Sequence, residues 1–138
     1  MASKYFEIER TLIGAVKAVD SVTPASFPNA TLKEYPDGLW LNVHNRRGKS
    51  TPVTLGDSGE DNHPGFLQID VNYPQNKGTK QILEKVDEFT EFFTAGKGLL
   101  YTVQMVHVVS STVSPGRDVG GYYRVSITIV YYARTFRN

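Results

Sequence analysis

The chain contains no cysteine, which excludes disulfides and thiolate metal sites and suits assembly in a reducing cytosol. It has no apolar run near the ~20 residues that a membrane span needs, so no membrane partner is expected. The opening Met1-Ala2-Ser3-Lys4-Tyr5 has one lysine and no apolar stretch behind it, so no signal peptide is expected. Neither charge is in excess: 15 Lys and Arg stand against 14 Asp and Glu, a formal net charge of +1. Dedicated nucleic-acid binders usually carry a strong basic excess, so specific nucleic-acid binding is not expected. The same balance offers little colloidal repulsion against self-association. No repeat, linker or low-complexity tract divides the chain. Its 138 residues fit one domain, 1–138, large enough to bury a core without staples.

What is present is periodic. Tyr5, Ile8, Leu12, Ala15, Val16 and Val19 recur at helical spacing, predicting an amphipathic helix over Ser3 to Asp20 with Ser3 as N-cap. Pro24 and Pro28 make Ser21 to Asn29 a connector. After the Pro36-Asp37-Gly38 turn, Leu39 to Asn45 alternates as a strand. Asn45 to Pro64 is polar and rich in glycine and proline, and reads as a long loop holding at most one edge strand, near Val53 to Leu55. Gly65 to Tyr73 is a cleaner strand, with Leu67, Ile69, Val71 and Tyr73 on one face and Gln68, Asp70 and Asn72 on the other; Pro74 ends it. A second helix is predicted from a Thr79 cap to about Thr94, with Ile82, Val86, Phe89 and Phe93 as its stripe and Gly96 as C-cap glycine. Leu99 to Val113 and Tyr123 to Tyr131 are β-prone, joined by a flexible loop over Ser114 to Gly121. The order α-β-(β)-β-α-β-β predicts an α+β fold, two helices packed on one face of a mainly antiparallel sheet.

The residues that could carry chemistry do not converge. His44, His63 and His107 have no metal-site spacing. His107 reads as a hydrogen-bonded sheet histidine and His63 as a solvated loop residue. Asp57, Glu60 and Asp61 offer oxygens to a hard cation, but not with the spacing of a calcium loop, and solvated loop carboxylates are the simpler reading. Ser110, Ser111 and Ser126 lack a nucleophile elbow, and no phosphate-binding glycine motif occurs. Arg46, Arg47 and Lys49 form a basic cluster open to two readings: phosphate contact, or a solvated or interface patch. Tyr122, Tyr123, Tyr131 and Tyr132 could stack on bases, but core or interface packing is the commoner use of strand tyrosines. No catalytic, metal or cofactor residues are assigned.

Two segments carry a resemblance. One is Gly65-Phe66-Leu67-Gln68-Ile69-Asp70-Val71-Asn72-Tyr73-Pro74, followed by a helix. The other is Gly121-Tyr122-Tyr123-Arg124-Val125-Ser126-Ile127-Thr128-Ile129-Val130-Tyr131-Tyr132-Ala133. Together they resemble the small tail-completion proteins of tailed phages related to the lambda-type tail terminator. In this sequence Tyr122 stands where tryptophan is common, and Arg134 follows the alanine instead of preceding it. The resemblance implies a non-enzymatic virion protein with an α+β fold. It implies a ring, usually a hexamer, on the finished end of the tail tube, which stops tube growth and offers a surface to the head-completion or connector protein. Its place would be the head-proximal end of the tail, reached after assembly in the host cytoplasm. A head–tail connector, a tube subunit or a small-ligand-binding domain are the alternatives. A ring of identical subunits needs two different patches that meet. Arg46, Arg47, Lys49, Arg117 and Asp118 are the residues expected there, on loops expected to be mobile in the free subunit.

Overall fold

The computed structural model describes residues 4–137. Two helices and eight strands follow in the order α1 (Lys4–Val19), β1 (Ala25–Ser26), β2 (Trp40–Arg47), β3 (Thr51–Pro52), β4 (Glu60–Pro74), α2 (Lys80–Phe92), β5 (Gly98–Leu100), β6 (Met105–Val113), β7 (Arg117–Val119) and β8 (Tyr122–Phe136). The strands make one sheet in the order β1-β2-β4-β8-β6-β5, with β3 beside β4 and β7 beside β8. Only the short β1–β2 pair is parallel. This is the α+β class expected, with more short strands than the sequence pattern showed.

The centre of the sheet is the β4–β8 ladder, which runs without a register break from Glu60↔Phe136 to Pro74↔Tyr122. Odd-numbered residues of both strands face the helices: Leu67, Ile69, Val71, Val125, Ile127, Ile129 and Tyr131 are all at most 2% exposed. Against them α1 sets Ile8, Leu12, Ala15 and Val16, and α2 sets Ile82, Val86, Phe89 and the following Phe93. Each fully buried aliphatic or aromatic side chain contributes roughly 1.5–3 kcal/mol, so this single apolar layer holds the fold. Tyr5, placed by periodicity in the α1 stripe, is 40% exposed and instead meets His63 edge-on. Ser3, expected as N-cap, lies outside the described residues.

Both predicted loops hold more strand than expected. Over Asn45 to Pro64, β2 runs on to Arg47, β3 pairs with Asn62 and Asp61, and β4 begins at Glu60, leaving 54–59 as the hairpin tip. Pro64 is tolerated in this central strand because its carbonyl faces Gly48, at the irregular step between β2 and β3. A strand residue's N–H points to the same side as its C=O, so the missing donor costs no bond to β8. The other segment, Ser114 to Gly121, contains β7, which pairs Arg117↔Arg124 through Val119↔Tyr122. Gly120 and Gly121 both have positive φ, 57° and 87°, and close the two-residue turn that matches strand twist. β6 and β7 are therefore one arm of a long hairpin with β8, broken by a register shift between Val108 and Ser110 and by the bend before Arg117.

Smaller departures have local causes. Leu99 to Val113 splits into β5 and β6 around a turn at 101–104. Thr79 is the N-cap of α2 by position, but its side chain makes no capping bond. α2 ends at Phe92, where Phe93 N–H donates to Phe89 O, and Gly96 (φ 87°) turns the chain into the sheet, donating to Val108 O, rather than capping the helix.

The helices are pinned to each other by charge. Asp20, just past α1, accepts from the N–H groups of Val22 and Thr23, from Thr23 Oγ1, and from Lys85 Nζ of α2 at 2.7 Å. Burial pushes the Asp20 carboxyl up, but the bonds from Lys85 and Thr23 outweigh it and hold the group well below the usual carboxylate range. Burial likewise pulls Lys85 down, and Asp20 with Glu88 more than restores it, leaving it raised.

Two predictions follow from this packing. A Cβ on Gly65 would lie 2.8 Å from Arg46 O and 2.6 Å from the Tyr131 hydroxyl. Gly65→Ala is expected to cost about 1–3 kcal/mol in urea unfolding, as overpacked sites do. The Asp20–Lys85 pair stabilises fully above the ordinary carboxylate pKa of 3.8 and below the ordinary lysine value of 10.5. Asp20→Asn should therefore be destabilised by about 2 kcal/mol across neutral pH, with the gap to wild type closing as pH falls through the depressed Asp20 pKa. A gap that persists unchanged in acid would assign the stabilisation to something other than charge.

Candidate functional site

The helices cover one side of the sheet, and the other carries the even-numbered residues of β2, β4 and β8. Its rows can be read across the strands. Arg46, Phe66, Val130 and Ser110 form one row, and His44, Gln68, Thr128 and Thr112 the next. Below these, Trp40, Asn72, Arg124 and Arg117 align. Four arginines lie on this face, Arg46, Arg117, Arg124 and Arg134, against Asp70 and, at the far end, Glu60.

Asp70 and Asn72, placed by the alternation on the polar face of the strand, are 2% and 0% exposed. The Asp70 carboxylate accepts from Ser126 Oγ at 2.5 Å and from Gln68 Nε2 at 2.9 Å, with His44 Nε2 3.4 Å away and Arg124 3.8 Å away. Arg124 Nε donates to Asn72 Oδ1 at 2.7 Å, and Arg117 Nη2 to Ser126 Oγ at 2.9 Å. Ser, Asp and His thus meet here, but the carboxylate lies between the other two. A nucleophilic triad needs the imidazole in the middle, to take the serine proton. Ser126 has no base, and the cluster instead ties β7, β8, β4 and β2 together. Beside it, Trp40 stacks on Tyr35 at 4.5 Å and meets Tyr122 edge-on at 5.4 Å.

A second surface lies at the β5 end. Phe6, Leu100, Tyr101 and Val103 are 57–73% exposed, and the Arg10 guanidinium sits over the Phe6 and Tyr101 rings at 5.6 and 5.3 Å. Exposed apolar clusters of this kind commonly mark protein contacts. A groove of about 370 Å³ runs beside it between α1 and β5, lined by Ala15, Leu99, Leu100 and Tyr101. Of its polar groups, Thr11 Oγ1 is already committed to Glu7 O and Gln104 O, and Lys97 Nζ lies over the Phe92 ring at 4.1 Å. A small-ligand site would need free polar groups converging there.

The residues expected at an interface fall into two separated groups. Arg46 and Arg47 lie at the end of β2, opposite Phe66 and Gly65, and Lys49 follows in the bend. Arg117 and Asp118 lie on β7, whose β8 partners pair with Asn72 and Tyr73. Six steps along β4, from Phe66 to Asn72, separate the two groups, about 20 Å at strand rise. Arg47 approaches Glu9 at 3.5 Å, and Arg117 also bonds Ser114 Oγ at 3.1 Å.

The histidines differ from expectation. His63 is not solvated but 5% exposed, bridging Ser50 Oγ and Thr135 Oγ1 at 2.7 Å each. The β4 strand that begins at Glu60 carries it under α1. His107 lies in β6 as expected, but its ring stacks on Tyr132 at 5.0 Å, and no side-chain hydrogen bond holds it among the described residues. No group of three or more carboxylate or imidazole ligands converges among the described residues, and Asp61 is bound by Arg137. Tyr131 is in the core, its hydroxyl donating to Asn45 Oδ1 at 2.6 Å, and burial pushes it up.

Burial, with Lys4 nearby, holds His63 below the ordinary value of 6.5, so its neutral form is the one the fold favours. Its contribution is complete above pH 6.5 and is lost as pH falls below that toward the depressed pKa. Wild-type stability is expected to drop between pH 7 and pH 5 more steeply than that of His63→Gln, measured by urea midpoints. Parallel pH profiles would show that His63 does not titrate on unfolding.

No curated protein sequence matches the chain. A solved structure superposes with a TM-score of 0.72 at 15% identity, covering 97% of this chain and 95% of the other, a likeness of fold alone. The family model for phage tail terminator proteins matches residues 7–131, from the first turn of α1 to the core of β8. With the fold and the strand motifs in agreement over that span, the chain belongs to the phage tail terminator family.

Proposed function

We propose that this structural component of the phage tail forms a ring of six subunits on the finished end of the tail tube. There it blocks addition of further tube subunits and presents its free side to the head-completion or connector protein. It joins the tube in the host cytoplasm and remains at the head-proximal end of the tail. The observation that carries this reading is the family match over residues 7–131. Two features of the chain support it. The exposed Phe6–Tyr101 surface suits a protein contact. The Arg46–Arg47–Lys49 and Arg117–Asp118 groups are charged and exposed, open to contacts between subunits or with the tube.

Light scattering over a concentration series, followed by negative-stain imaging with and without tail tubes, tests it. Closed rings, alone or only on tube ends, are the expected result, and tubes mixed with the protein should stop growing. Open-ended polymers would make it a tube subunit instead. A monomer inert toward tubes would overturn the proposal. Arg46→Glu with Arg47→Glu should weaken assembly and leave folding intact, because the exposed Arg47–Glu9 pair that it breaks contributes at most about 1 kcal/mol.

A further inference from the structure

The near-zero net charge conceals a separation. The outward stripe of α2, opposite the side that packs on the sheet, carries Glu84, Asp87, Glu88 and Glu91; Lys80 pairs with Glu84 and the part-buried Lys85 with Glu88, leaving Asp87 and Glu91 uncompensated among the described residues. The helix-free face of the sheet carries the four arginines, and Arg46, Arg117 and Arg134 are exposed with no carboxylate partner among the described residues. The two surfaces lie on opposite sides of the apolar layer.

Each also holds the apolar element that an interface centre requires. On the sheet face, Phe66 and Val130 sit side by side in the row that begins with Arg46, and Val130 is 37% exposed. On α2, Leu83 is 47% exposed beside the acidic stripe.

We infer that the acidic outer stripe of α2 in one copy of this chain docks on the basic helix-free sheet face of the next copy. The inference rests on the ring reading and names the two unlike patches that a ring requires. Opposite charges on opposite faces make contact between successive copies attractive when they pack front to back. The same charges repel when like faces meet, so the pairing is directional and rejects a closed two-fold dimer. Arg46, Arg117 and Arg134 would form the basic half of the contact.

The test is a charge swap between subunits. Asp87→Lys with Glu91→Lys reverses the helix stripe, and Arg46→Glu with Arg134→Glu reverses the sheet face. All four positions are exposed, and circular dichroism with urea unfolding checks that each variant folds. Each variant alone should assemble poorly, its half-assembly concentration rising about tenfold or more, because its two faces now share a sign. An equimolar mixture should recover rings, with the variants alternating, since each reversed face then meets its complement. Wild-type assembly should weaken between about 0.05 M and 0.5 M salt.

Tail tubes are supplied throughout if the wild type needs them. If wild type forms rings and either variant does so equally well, or if both fail and the mixture stays unassembled, the face-to-face pairing is wrong and the ring reading stands. If wild type forms no ring with or without tubes, the ring reading fails and the pairing falls with it.

Discussion

The fold depends on the unbroken pairing of β4 with β8. Fifteen consecutive residue pairs share one register; β2, β3, β6 and β7 pair directly with one of these two strands, and β1 and β5 join through β2 and β6. Because side chains alternate with a period of two, one register fixes both faces at once. It sends Leu67, Ile69, Ile127 and Ile129 to the helices and Phe66, Gln68, Thr128 and Val130 to the other side. A slip of one residue would bury Arg124 and expose Ile127. The same ladder brings His63 under α1, places Asp70 against Ser126, and sets Arg46 in line with Val130. Irregularities are confined to the outer strands, where β2 gives way to β3 and where β6 shifts register near Val109.

Much of this was legible in the residue pattern, and the misses have physical reasons. Both helices and the alternation from Gly65 to Tyr73 announce themselves because one side of each is apolar and the other polar. Glu60 to Pro64 carries no such contrast: its inward residue, His63, is polar and meets hydroxyls instead of aliphatic carbon. Periodicity has nothing to detect there, and Pro64 argues against a strand until its neighbour's irregular step is known. The Gly120-Gly121 turn is different. Two glycines between β-prone residues are a hairpin signal, and reading the whole of Ser114 to Gly121 as a loop missed it. Asp70 and Asn72 were placed on the correct face, but the His44, Arg124 and Ser126 side chains that meet them come from strands distant in sequence.

The surfaces were less legible than the core. Arg46, Arg47, Lys49, Arg117 and Asp118 stood out as charged residues in supposed loops, and the structure puts them on strand ends and on β7 in two separate groups. Their significance comes from position on a shared face, which depends on the register of four strands. Composition hid the larger feature, because fifteen positive and fourteen negative residues sum to almost nothing. Only once the helices are assigned to one side does the charge separate, with α2 outwardly acidic and the bare sheet basic. The apolar cluster near Tyr101 was equally invisible, since Phe6 and Tyr101 lie ninety-five positions apart.

The placement of β8 also bears on when the subunit can fold. β8 emerges from the ribosome after every other strand, yet it occupies the middle of the sheet. Until residues 122–136 arrive, β4 has no partner on that side, and the stripes of both helices have only half a sheet to cover. Strand pairs this far apart in sequence close slowly, because loop entropy is lost before their contacts form. During synthesis the inner edge of β4, with Leu67, Ile69 and Val71 beside it, is open to pairing with any other extended chain. The nascent subunit therefore passes through a stage in which its future centre is an exposed edge, and insertion of β8 both completes the core and removes that edge.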